Sequence, residues 1–168
     1  MPYPTFTAGQ RITASVLNAG KLEFVTNAAG AQTNATTTFA NITDLVFAVE
    51  ASARYQIHVL IGYDAPTATD IKFDWSMPSG ASTNRNCEYL ALATATNIAS
   101  TMAKIRRGAT TAVQVGGPNA VANAFSVYEE VTDLQTSSAG NAQFRFAANA
   151  AGTATVQGDS IIYYQRIA

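Results

Sequence analysis

Charge is scarce in this chain. Of its 168 residues only 12% are Asp, Glu, Lys or Arg, about half the share of an average soluble domain. The net charge is −1 and the isoelectric point about 5.7, so no basic field exists to neutralise phosphates. Lys104, Arg106 and Arg107 make the one basic cluster, too small for a nucleic-acid footprint. Nucleic acid is therefore not expected as a partner. Cysteine occurs once, at Cys87, and histidine once, at His58. A single cysteine excludes an internal disulfide, and the two residues together are too few for the usual zinc sites. No cofactor or metal site is expected. No apolar run approaches the roughly 20 residues of a membrane-spanning helix, so membrane insertion is not expected either. The N-terminus lacks the charged start and apolar stretch of a secretion signal, which predicts synthesis in the cytoplasm.

What is present is a neutral, small-residue protein. Hydrophobic residues make up 48%. Ala and Thr together supply roughly a third of the chain, well above average usage. Faces built from such residues approach another protein closely without stripping water from charges. The length suits one compact domain with a short extension.

The extension lies at the N-terminus. Residues 2–10 read as an extended arm punctuated by Pro2, Pro4 and Gly9. Thr13 then stands as a helix N-cap and Gly20 as its stop. A helix of about two turns is too short to hold alone in water, so it must pack on something. That support is either its own domain, since chain ends commonly dock there, or a partner; residues 1–27 are read in the second way, as an anchoring arm and short helix. Tyr3, Phe6, Ile12, Val16 and Leu17 are its candidate docking side chains. Residues 28–168 are read as the body.

The body has the period of β-strands. Leu45, Phe47 and Val49 alternate with more polar neighbours, as do Ile71, Phe73, Trp75 and Met77. Tyr55, Ile57, Val59, Ile61 and Tyr63 form the clearest period-2 set. A short strand is expected at Thr36–Phe39, weaker ones at 87–93 and 101–106, and turns at 78–80 and 116–119. Residues 160–167 are nearly continuous in apolar residues, the pattern of a strand covered on both faces. About nine strands without an internal repeat predict an all-β fold, a jelly-roll-like β-sandwich. Because Tyr163 and Tyr164 point to opposite faces, a subunit interface is expected to cover one side, with Ile162 and Tyr164 as its candidate residues.

Little catalytic chemistry is on offer. His58 has no nucleophile-elbow serine or cysteine to serve and reads as a surface or interface histidine. Asp70 and Asp74 flank Lys72 on one strand face, a solvated charge ladder rather than a glycosidase pair. Glu129 and Glu130 are adjacent in a strand, face opposite ways and cannot act jointly. Asp64, Asp70 and Asp74 match no calcium loop. Cys87 reads as a small apolar strand residue and Trp75 as core. Asn34 and Asn41 match the glycosylation pattern but read as ordinary turn and strand residues. No catalytic residue is expected, and the chain is read as a non-enzyme.

Residues 2–18, PYPTFTAGQRITASVLN, resemble the leader of small minor tail and appendage proteins of phages that infect actinobacteria. Residues 49–55 (VEASARY), 70–81 (IKFDWSMPSGA after Asp70) and 156–167 (VQGDSIIYYQRI) are similar to strands and turns of the same proteins. The central section, 87–135, carries no such likeness. The resemblance implies a virion structural protein, a jelly-roll homotrimer whose leader is buried among other virion proteins. It implies no catalytic residue. Its outer loops would contact the host surface, with cell-surface glycan as the partner. A capsid decoration or head-fibre protein meets the same requirements, and a carbohydrate-binding module is the reading outside the virion.

Overall fold

A computed structural model describes residues 8, 9, 11, 13, 21–92, 102–108, 111–118 and 125–168. The described residues form twelve strands and no helix. They are β1 (Leu22–Thr26), β2 (Gln32–Asn34), β3 (Ala40–Val49), β4 (Arg54–Asp64), β5 (Ile71–Ser76), β6 (Ser82–Leu90), β7 (Met102–Gly108), β8 (Val113–Val115), β9 (Ser126–Gln135), β10 (Gly140–Ala148), β11 (Ala154–Val156) and β12 (Ile161–Arg166). The short helix expected after Thr13 lies outside the described residues, as do Tyr3, Phe6, Ile12, Val16 and Leu17.

The strands make two antiparallel sheets. The first runs β1-β12-β4-β9-β6-β7, with β11 bridging β2 and β4; the second runs β3-β10-β5-β8. With the β6–β7 hairpin and the short β2 and β11 set aside, eight strands remain. In chain order the first pairs with the eighth (β1·β12), the second with the seventh (β3·β10), the third with the sixth (β4·β9) and the fourth with the fifth (β5·β8). That nested pairing is the jelly roll, two Greek keys wrapped into a sandwich. The β6–β7 hairpin is an addition between the fourth and fifth strands that extends the first sheet beyond β9.

Alternation accounts for the core. Leu45, Phe47 and Val49 of β3 meet Tyr55, Ile57, Val59, Ile61 and Tyr63 of β4 between the sheets, all buried. Aromatic rings fill the centre: Phe73 stacks on Phe144 at 5.7 Å and lies 4.8 Å from Tyr128, and Trp75 meets Phe144 edge-on at 4.7 Å. Such pairs add about 0.5–1.5 kcal/mol each beyond burial. Trp75 is core, as expected.

Three sequence expectations are corrected. Leu22–Thr26 pair with β12 along their whole length, so the sandwich begins by Leu22 and not at residue 28. The short strand expected at Thr36–Phe39 is absent: a buried Asn34 amide donates to Thr38 O and Phe146 O and bends this stretch, and the strand starts at Ala40. The candidate interface residues fall on the inner side of β12. Ile162 is fully buried in the chain's own core. Tyr164 stacks on Phe47 at 4.0 Å and donates its hydroxyl to Glu23. The outward residues of β12 are Ile161, Tyr163 and Gln165.

Candidate functional site

The two ends of the sandwich differ. At one end the chain turns within four or five residues, at 50–53, 77–81 and 136–139. These turns are tightly tied. Thr136 donates to Glu50 O and accepts from Ala53 N, and the Tyr55 hydroxyl accepts from Glu50 N at 2.9 Å. Ser52 takes a left-handed conformation at φ 53° to close its turn. Both termini of the sandwich meet here: β1 starts at Leu22 opposite Gln165, and Ala168 O accepts from Arg54 N.

The longer connections belong to the other end. There β4 hands over to β5 through 65–70, the chain leaves β6 at Leu90 and returns at Met102, and it leaves β8 at Val115 and returns at Ser126. Residues 27–31, 149–153 and 157–160 join them. Their bases are pinned by close backbone approach. A Cβ on Gly116 would stand 2.1 Å from Ala91 O, and one on Gly117 2.4 Å from Pro66 O. Gly116 N donates to Leu90 O, Tyr63 donates to Gly116 O, and Asp70 accepts from Gly117 N. Burial pushes the Tyr63 phenol up to about 12.

The outer face of the first sheet is the second surface of note. β1 shows Leu22 and Phe24, 60% and 62% exposed. In register beside them stand Tyr163, then His58, then Val131. A hollow of about 500 Å³ lies over Leu22, Gln56, His58, Val131, Tyr163 and Gln165. It carries aromatic and aliphatic groups with amides and no carboxylate or ammonium, the composition of an interface centre. Charges border it: Asp133, in register beside Gln56, pairs with Arg54, and Glu88 pairs with Lys104 farther across the sheet.

A polar cluster lies inside, between the sheets. The Arg85 guanidinium, fully buried, grips Glu130 through Nε–Oε1 at 3.0 Å and Nη2–Oε2 at 2.8 Å. Trp75 Nε1 donates to the same carboxylate at 2.8 Å, and the Thr132 and Tyr128 hydroxyls also donate to it. Arg85 gives a further bond to Thr111 O and reaches within 3.8 Å of Asp74. Burial pushes the Glu130 carboxyl up, but the Arg85 charge and these donors outweigh it and hold it below the usual range. Burial and then the Glu130 charge raise the neighbouring Cys87 thiol to about 11. Both oxygens of Glu130 thus accept from internal donors, which ties β6, β9 and Trp75 of β5 together.

The sequence-predicted groups sort accordingly. His58 is on the outer face, as expected, between Tyr163 and Val131. Glu129 and Glu130 face opposite ways, as expected. The solvated ladder does not hold for Asp74, which is buried and paired with Arg145 at 2.8 Å. Lys72 instead lies over the Phe39 ring at 5.1 Å. Asp70 precedes β5 and caps Gly117. No group of three metal-ligating side chains occurs among the described residues. Asn34 uses its amide to shape the backbone. The Arg85–Glu130 tie was missed: Ser82–Asn86 looks like a polar loop, yet Thr83, Arg85, Cys87 and Tyr89 alternate inward.

No protein family and no curated protein matches the chain. Among solved structures, it is similar to the infectious bursal disease virus VP2 subviral particle at 9% identity, over 89% of this chain and 38% of that one, with a TM-score of 0.27. It is also similar to the structure of that virus's Gx strain at 8% identity, over 99% and 42%, with a TM-score of 0.24. The chain thus spans about two fifths of the length of these two chains. At such scores the likeness carries no argument, and the jelly-roll assignment stands on the strand order itself.

Proposed function

We propose that this chain is a non-enzymatic structural protein of a phage particle. It is a homotrimeric jelly-roll knob, fastened to neighbouring virion proteins through its N-terminal arm, with its long connections turned outward toward the host. The observation that carries this reading is the polarity of the sandwich. The segment preceding β1 joins the body at the short-turn end, so an anchor there leaves the opposite end free. The likeness of residues 2–18 to the leader of phage appendage proteins supports it. So does the internal pairing of Glu130, which leaves that carboxylate no role in catalysis. The apolar part of the outer face of the first sheet, around Phe24 and Tyr163, is the surface best suited to contact between copies. Tail and head positions both fit this design.

Deletion of residues 2–20 tests the reading. The shortened chain is expected to keep its far-ultraviolet β signature and its trimeric mass by light scattering, yet to be missing from particles assembled in its presence. Normal incorporation of the shortened chain would overturn the anchor.

A further inference from the structure

The long-connection end holds an open hollow of about 380 Å³, with Phe125, Val127, Gln157 and Asp159 arranged around Gly62. Its size falls within the roughly 300–1,000 Å³ of small-molecule sites. One wall is the 157–160 turn, and its backbone is held firmly. Gln157 N donates to Gly62 O at 2.8 Å, and Gly62 N donates to the buried Ser160 hydroxyl at 3.2 Å. Asn27, also buried, donates to Gln157 O at 2.9 Å and to Gly30 O at 2.8 Å. Gly158 passes so close to Gly30 that a Cβ would stand 3.0 Å from its Cα. Asp159 hangs over Gly62, where a Cβ would lie 2.7 Å from its Oδ1.

The backbone of this turn is thus committed while its side chains are not. Among the described residues the Asp159 carboxylate and the Gln157 amide make no side-chain hydrogen bond or ion pair. Asp64 lies two residues beyond Gly62 on the same face of β4, and its Oδ1 is buried without a hydrogen-bond partner among the described residues. Opposite them Phe125 is 59% exposed and Val127 48%. A pre-set turn with idle acceptors beside a bare aromatic ring matches one ligand chemistry well. A pyranose offers an apolar C–H face to a ring and a rim of hydroxyls to carboxylate and amide. The carboxylates disfavour acidic sugars and phosphates.

We propose that this hollow binds a neutral pyranose of a cell-surface glycan. Phe125 stacks on the C–H face, and Asp159 and Gln157 hydrogen-bond the ring hydroxyls. The proposal deepens the outward role suggested above, and a test on the free chain lets it fail without touching the anchor. The purified full-length chain is applied to an array of neutral and acidic glycans, and the best neutral ligand is then titrated by calorimetry. Binding to neutral glycans is expected, weakened about tenfold or more by Phe125→Ala and by Asp159→Ala. Lys104→Ala, on the exposed strand β7, should leave it unchanged, and circular dichroism should be the same for all variants. No neutral glycan bound, binding confined to acidic glycans, or affinity undiminished in both site variants would each overturn the proposal.

Discussion

Arg85→Met is the sharpest test of the buried polar tie between β6 and β9, neighbouring strands of the first sheet. The methionine keeps most of the volume but removes the charge, leaving Glu130 ionised and fully buried. Breaking a buried pair by deleting one partner costs about 3–5 kcal/mol. Trp75, Thr132 and Tyr128 still donate to the carboxylate, which argues for the lower part of that range, about 3 kcal/mol. For a chain of this size that lowers Tm by roughly 6–12 °C. Trp75 is the single tryptophan and touches Glu130 directly, so urea unfolding followed by its fluorescence reads the event at its source. Adding Glu130→Gln to Arg85→Met removes the stranded charge, and the double variant should recover about 1–2 kcal/mol. Proton linkage supplies a second signature. Glu130 titrates below its ordinary 4.5 in the folded chain, so its contribution is present above that pH and is lost as pH falls through the folded value. Without Arg85, burial raises the same carboxyl, and protonation relieves it. The gap between wild type and Arg85→Met should therefore narrow on acidification. A single variant within about 1 kcal/mol of wild type, or a double variant weaker than the single, would refute this reasoning.

Other expectations follow from the same geometry. Cys87 is fully buried and its thiol is raised to about 11, so a chromogenic disulfide reagent at pH 8 should label it only on unfolding; stoichiometric labelling of native protein within seconds would contradict this. Gly116→Ala drives a Cβ into the Ala91 carbonyl and should cost at least about 1–3 kcal/mol in urea unfolding, whereas Gly108→Ala, with open space around it, should not destabilise by a comparable amount. The paired change Phe24→Ser and Tyr163→Ser should lower the mass seen by light scattering while circular dichroism keeps its β signature; an unchanged mass would remove this face as the contact between copies.

Much of the fold was legible because buried strands repeat every two residues. β4 shows this best: Tyr55, Ile57, Val59, Ile61 and Tyr63 point inward, and His58 falls outside as its parity demands. Where polar residues occupy inward positions, the signal fails. Arg85 and Thr83 sit in a run of serine, threonine and asparagine, so the inward alternation of β6 hides until Glu130 is seen opposite. Asp74 was hidden the same way, since a buried pair with Arg145 depends on β10, about 70 residues away in sequence. β1 escaped notice because its large side chains, Leu22 and Phe24, face outward and its inward ones are Glu23 and Val25. On β12 the alternation was plain, but not its sense: Ile161–Arg166 is apolar on both sides, and only the stacking of Tyr164 on Phe47 decides which side is core. The hollow beside Phe125 joins residues from three separate stretches, and no spacing within one segment announces it.

The central claim is that the particle grips the end where β1 begins and leaves the long connections outside. A short epitope inserted after Asn119 in one variant, and placed after Ala168 in another, tests it by immunogold labelling of intact particles. The account predicts strong labelling of the 119 insertion and none of the C-terminal tag in assembled particles. Labelling confined to the C-terminal tag would contradict it.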